Sequence, residues 1–263
     1  MGVVAVVLGS ACSPELVVGK VTVVEQKNEA CVREQGEGGG PGLEEKVVTA
    51  PWSTGFESGF SDYWESDGFC YVNGQASCGT VASPVFDGKK AAAFAITANV
   101  PGSASQTRCF LQGAFPEDAV YGARFFIPER VEVVGYWNLM YFQGAEVRPD
   151  LAGLWDISLR NRPDGNLELF VLARGFPAPP PNPSIPVPIG EWFRVEFRLK
   201  RAKDDTGAIA LYQDGVPLLE ATGIVTDRFD FHEWYVGTWG ENLMPPGSTI
   251  YVDNVTIRAG VGQ

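Results

Sequence analysis

From Trp52 to Ile257, short runs of alternating apolar and polar residues recur between turn signals. Strands that bury one face give this pattern, and it predicts an all-β sandwich or jelly roll. EWFRVEFRLKR is the clearest run. Phe193, Val195, Phe197 and Leu199 share one face, while Trp192, Arg194, Glu196, Arg198 and Lys200 share the other. WDISLRNRPDGNLELFVLAR predicts a hairpin turning at Pro163-Asp164-Gly165, with Trp155, Ile157 and Leu159 inward and Asp156, Ser158 and Arg160 toward solvent or a cleft. AIALYQDGVPLLEA predicts a second hairpin at Asp214-Gly215, and STIYVDNVTIR a closing strand. In EWYVGTWGEN the alternation sets Tyr235, Gly237 and Trp239 on one face, and His232, Trp234, Val236 and Thr238 on the other. RGFPAPPPNPSIPVPIG cannot be a central strand, because proline removes ladder donors, and reads as an extended loop.

Composition narrows the function classes. The 263 residues fit one large β domain with a tail. A net charge of −12, with no Lys/Arg cluster to neutralise phosphates, excludes nucleic acid as a partner. Of the five cysteines, Cys70 and Cys78 flank YVNGQAS, whose Asn73-Gly74 turn signal can bring the two sulfurs together across a ladder; two small buried thiols is the alternative. No C-x-x-C pair or Cys/His cluster suggests zinc.

The start, MGVVAVVLGSACSPE, resembles the end of a bacterial lipoprotein signal, with Cys12 as the lipidated residue, although no Lys or Arg precedes the run. Residues 1–12 are therefore expected to be a truncated export signal. Gly and charge then replace apolar periodicity, so 13–50 should be a flexible linker and 51–260 the folded domain. The expected setting is outside the cytoplasm: a cell-surface or outer-membrane lipoprotein, or a secreted monomer. Membrane contact would come only through the lipid anchor.

The succession STGFESGFSDYW, YGARFFIPE, YWNLMYFQG, LRNRPDGNLELFV, IGEWFRVEFRLKRAKDDTGAIALYQDGVPLLEA and STIYVDNVTI resembles the heparin-lyase-like polysaccharide lyases of the concanavalin A-like lectin/glucanase superfamily. That resemblance implies a concanavalin A-like β jelly roll: two curved antiparallel sheets, with a glycan on the concave face. Lyases that cut uronic-acid polymers remove the proton alpha to a carboxylate, so they need that carboxylate neutralised and a base within reach. In the family, an Arg-bearing strand, a Gln-x-His strand and a Lys-x-Gly-x-Tyr strand resemble what carries this. Here QTRCFLQ supplies Arg108 and YFQG supplies Gln143, but Gly144 follows and the histidine is missing. YVGTW keeps the third spacing, with Tyr235 in place of the Lys and Trp239 in place of the Tyr. Glu57 in GFESG and Asp253 in YVDN resemble the calcium ligands that link the termini of jelly-roll carbohydrate modules, with exposed turn carboxylates as the alternative.

Other chemistries lack their residues. The paired-carboxylate strand of the superfamily's hydrolases has its nearest match in ESDGFC, which ends in Cys70, and no Gly-x-Ser-x-Gly elbow or phosphate loop occurs. Three readings remain, from different classes. The first is a polysaccharide-binding protein for an acidic or neutral glycan: Arg108 meets a carboxylate or hydroxyl, Gln143 and Arg160 hydrogen-bond, and Tyr235 and Trp239 stack on sugar rings. The second is an active lyase with Tyr235 as base and Arg108 and Gln143 as the carboxylate clamp. A surface protein whose jelly roll contacts another protein is a third possibility.

Overall fold

The computed structural model describes residues 47–60, 70–98, 102–144, 154–174, 184–229 and 232–260, all within one compact unit, Gly42–Gln263. Cys12, the proposed signal, the linker up to residue 46, residues 65–69 of ESDGFC and residues 175–183 of the proline run lie outside them. The strands in chain order are β1 Trp52–Thr54, β2 Tyr71–Asn73, β3 Ala76–Val81, β4 Ala91–Ile96, β5 Ser105–Gly113, β6 Asp118–Phe126 and β7 Glu132–Gly144. They continue with β8 Leu154–Asn161, β9 Leu167–Arg174, β10 Trp192–Lys200, β11 Gly207–Gln213, β12 Val216–Ile224, β13 His232–Met244 and β14 Ser248–Ala259. One sheet runs β12-β11-β10-β6-β14-β4-β3, with β1 also on β14; the other runs β2-β5-β13-β7-β8-β9. Every ladder is antiparallel, and the chain is the all-β jelly roll its pattern predicts.

The core is made by the inward residues of both sheets. Phe193, Val195, Phe197 and Leu199 of β10 are buried with Trp155, Ile157 and Leu159 of β8 and Trp234 and Val236 of β13. Each such side chain contributes on the order of 1.5–3 kcal/mol by leaving water. A buried indole also carries a donor, which is satisfied for Trp155 and Trp137 but has no partner among the described residues for Trp234. Trp155 Nε1 donates to Thr226 O at 2.8 Å and Trp137 Nε1 to Thr238 Oγ1 at 2.8 Å. The Asp214-Gly215 turn forms with both residues at positive φ, 50° and 81°, the geometry a tight two-residue hairpin requires.

Two expectations change. The packed region extends before Pro51: Val47 bridges to Ala114, Val48 N donates to Ala114 O at 2.8 Å, and Val48 is buried in the core. Val48 supplies the apolar contact, while the side chain of Val47 stays exposed. The Cys70–Cys78 disulfide forms, but not across a ladder. β2 belongs to the six-stranded sheet and β3 to the other, so the turn at Gly74 crosses between sheets and the disulfide staples them together.

Candidate functional site

On β13 the alternation divides the residues as their period requires. Trp234 and Val236 join the core, whereas Tyr235 belongs to a separate small cluster with Phe110, Tyr141 and Tyr71 on the outer face of the six-stranded sheet. The ladders set neighbours side by side there. Tyr235 lies between Phe110 of β5 and Tyr141 of β7, Glu233 between Gln112 and Gln143, Gly237 opposite Arg108, and Trp239 between Gln106 and Asn138. Gly237 is required by close approach: a Cβ would stand 2.4 Å from Thr107 O and 2.6 Å from the Arg108 Cα, at a φ of +157°.

A bulge completes the face. Asn138 pairs with Ser158 but Met140 with Ile157, leaving Leu139 as the extra residue. Leu139 and Met140 both enter the core, which brings Asn138 and Tyr141 to the outer face three residues apart instead of two.

Glu233 is the centre of the first polar group. Gln112 Nε2 donates to its Oε2 at 2.6 Å, Tyr141 Oη and Gln143 Nε2 (3.4 Å) donate to its Oε1, and Arg108 Nη2 lies 3.8 Å from Oε1. Arg108 Nη1 donates to Tyr141 Oη at 2.8 Å. The guanidinium also lies over the rings of Tyr71 and Tyr235, each 5.0 Å from its centroid. Burial alone would ease its proton off, but the nearby Tyr141, Glu233 and Tyr235 outweigh this and hold it more firmly protonated.

A second group surrounds Asp156, which accepts from Tyr136 Oη, Asn138 Nδ2 and, at 2.6 Å, Ser158 Oγ. Tyr235 Oη donates to Asn138 Oδ1, and the Tyr235 and Tyr141 rings meet edge-on, 3.9 Å between centroids, joining the two groups. Both phenols are driven well above the ordinary tyrosine pKa, first by burial and then by nearby negative charge.

The sequence expectations fare unevenly. Arg108, Gln143 and Tyr235 do come together. Tyr235, however, is completely buried under its neighbours, so it cannot stack on a sugar, and its raised pKa is opposite to what a base requires. Trp239 is partly exposed on the same face, with its ring edge-on to Tyr136 at 5.7 Å. Arg160 stands apart, bonded to Glu168 at 2.5 Å and lying over Phe170. His232 points inward as parity predicts: it stacks on Phe142, lies 2.9 Å from Asp227 Oδ1 and approaches Arg201.

Glu57 and Asp253 both hold the loop at 86–90, but neither fits a calcium ion. Glu57 Oε1 accepts from the amides of Lys89 and Lys90, and Asp253 Oδ2 from those of Phe86 and Asp87. These are donors rather than oxygen ligands, and Lys90 Nζ already brings a cation to Glu57 O at 3.0 Å. Sequence reasoning missed Glu233, Tyr141, Tyr136 and Asn138. The first two share parity with Tyr235 and Gln143 and were open to the same argument.

A family profile described as polysaccharide lyase matches residues 52–256. No curated protein shows significant similarity to the chain. Among solved structures, an endo-β-1,4-glucuronan lyase from the fungus Trichoderma reesei is 17% identical, with a TM-score of 0.55, covering 79% of this chain and 94% of its own. The cellulose-induced protein Cip1 is 13% identical with a TM-score of 0.55, covering 80% and 100%. An alginate lyase from Aplysia kurodai is 12% identical with a TM-score of 0.53, covering 81% and 100%. At these identities the likeness speaks for the shared fold.

Proposed function

The chain belongs to a polysaccharide lyase family, and from that premise we propose that it binds a polysaccharide along the outer face of its six-stranded sheet, the concave face the family resemblance implies, without cleaving it. The observation that carries this is the protonation of the face. The two phenols at the centre of the face, Tyr141 and Tyr235, are buried beneath it and hold their protons. Elimination needs a group that accepts the C5 proton, and a phenol with a raised pKa is a donor near neutral pH.

What the face does offer suits binding. Partly exposed Trp239 and Tyr136 give ring surface for the apolar side of a sugar, and Gln106, Gln112 and Gln143 give amides for its hydroxyls. The Cys70–Cys78 disulfide favours an exported setting, in keeping with lipidation at Cys12.

Calorimetry with a panel of polysaccharides tests this: wild type binds at least one and Trp239→Ala loses at least about fivefold, since an aromatic contact of this kind supplies about 1 kcal/mol or more. Binding unchanged in the variant would refute it. Active cleavage is the second reading, favoured by the placement of the Tyr141 hydroxyl between a guanidinium and a carboxylate. It predicts ultraviolet-absorbing unsaturated products from a uronic-acid polymer, and a flat trace removes it.

A further inference from the structure

We propose that Glu233 is a built-in substitute for a uronate carboxylate, so that this face selects neutral over acidic glycans; this rests on the glycan-binding function proposed above. The groups suited to clamp a ligand carboxylate are a guanidinium, amide N–H groups and a phenol. Here all of them, Arg108, Gln112, Gln143 and Tyr141, converge on one carboxylate, and it belongs to the protein. The side chains of Arg108 and Glu233 are only 16% and 6% exposed, so water screens the pair poorly. An incoming uronate would have to displace Glu233 from its four partners or settle beside a second negative charge.

The rest of the face adds to that repulsion. Buried Asp156 lies on it, Glu241 shares the parity of Glu233 and Trp239, and the positive charge of Arg160 is taken by Glu168.

The test uses β-1,4-linked glucose and glucuronic acid oligosaccharides of equal length, with wild type, Glu233→Ala and Glu233→Gln compared by calorimetry. Wild type is expected to hold the neutral oligosaccharide at least about tenfold tighter, because a like charge in a partly buried site costs at least that much. Glu233→Ala empties the clamp and should gain at least about tenfold for the uronate. Glu233→Gln keeps the shape of the side chain and should lose most of the discrimination. As a check independent of oligosaccharides, acetate should raise the melting temperature of Glu233→Ala and leave wild type unmoved. Equal or tighter uronate binding by wild type, or a Glu233→Ala protein that gains neither uronate nor acetate binding, overturns the assignment while leaving glycan binding intact. A wild type that binds no glycan removes the proposed function and the selectivity with it.

Discussion

Tyr235→Phe separates structure from chemistry at the centre of the site. The substitution keeps the ring and its edge-on contact with Tyr141, so it opens no cavity; it deletes only the hydroxyl that donates to Asn138 Oδ1. Asn138 Nδ2 stays anchored to Met140 O at 2.9 Å and to Asp156, so the amide cannot turn to find a new donor. A buried acceptor left unpaired costs about 1–3 kcal/mol, which lowers the melting temperature by about 2–4 °C per kcal/mol in a domain of this size. The pH dependence carries a second signature. Tyrosine in the unfolded chain ionises near pH 10, whereas burial keeps the proton on Tyr235 in the fold, so unfolding releases a proton above that pH and stability falls as pH rises. Phe has no such proton, so the deficit of the variant should narrow between about pH 9 and pH 11. Urea denaturation at several pH values, with calorimetric glycan binding at neutral pH, measures both. Loss of glycan binding or of any uronate cleavage with unchanged stability would refute the structural role and restore Tyr235 as a reacting group.

Other substitutions probe the scaffold. Asp227 is buried against His232 and Arg201; burial opposes its charge, but the His232 and backbone contacts win and hold its pKa below the usual range. Its stabilisation is therefore present above the unfolded carboxylate pKa and fades as pH falls through the lower folded value. Asp227→Asn should cost about 3 kcal/mol at pH 7 and flatten the acid limb of a stability-versus-pH curve. Removing the Cys70–Cys78 crosslink, which closes a separation of 8 residues, should cost about 2.5 kcal/mol in thermal denaturation, and reduction of the wild type should match the Ala double variant.

Much of this fold is legible in the chain because period-two burial is a local property. Phe193 to Leu199 and the Trp155 hairpin declare their inward faces without any knowledge of their partners. The site is less so. Parity puts Tyr235 on the outer face, but its complete burial depends on Arg108 and Tyr141, delivered by two neighbouring strands from distant parts of the chain. Strict alternation from Tyr141 places Leu139 outward and Asn138 inward; the bulge reverses both, and no residue in WNLMYF announces it. Arg160 has the expected parity, yet its charge goes to Glu168 directly across the hairpin, a partner that the Pro163-Asp164-Gly165 turn fixes. Glu57 and Asp253 look like metal ligands in sequence because only the fold reveals the amides of Phe86, Asp87, Lys89 and Lys90 that donate to them.

A crystal soaked with a neutral oligosaccharide that binds in solution tests the central claim most directly. Sugar density is expected across β5, β13 and β7, with a ring against Trp239 and the Glu233 carboxylate still held by Arg108, Gln112, Gln143 and Tyr141. Sugar found only elsewhere, for instance in the roughly 350 Å³ hollow lined by Arg124 and Arg194 on the other sheet, would contradict it.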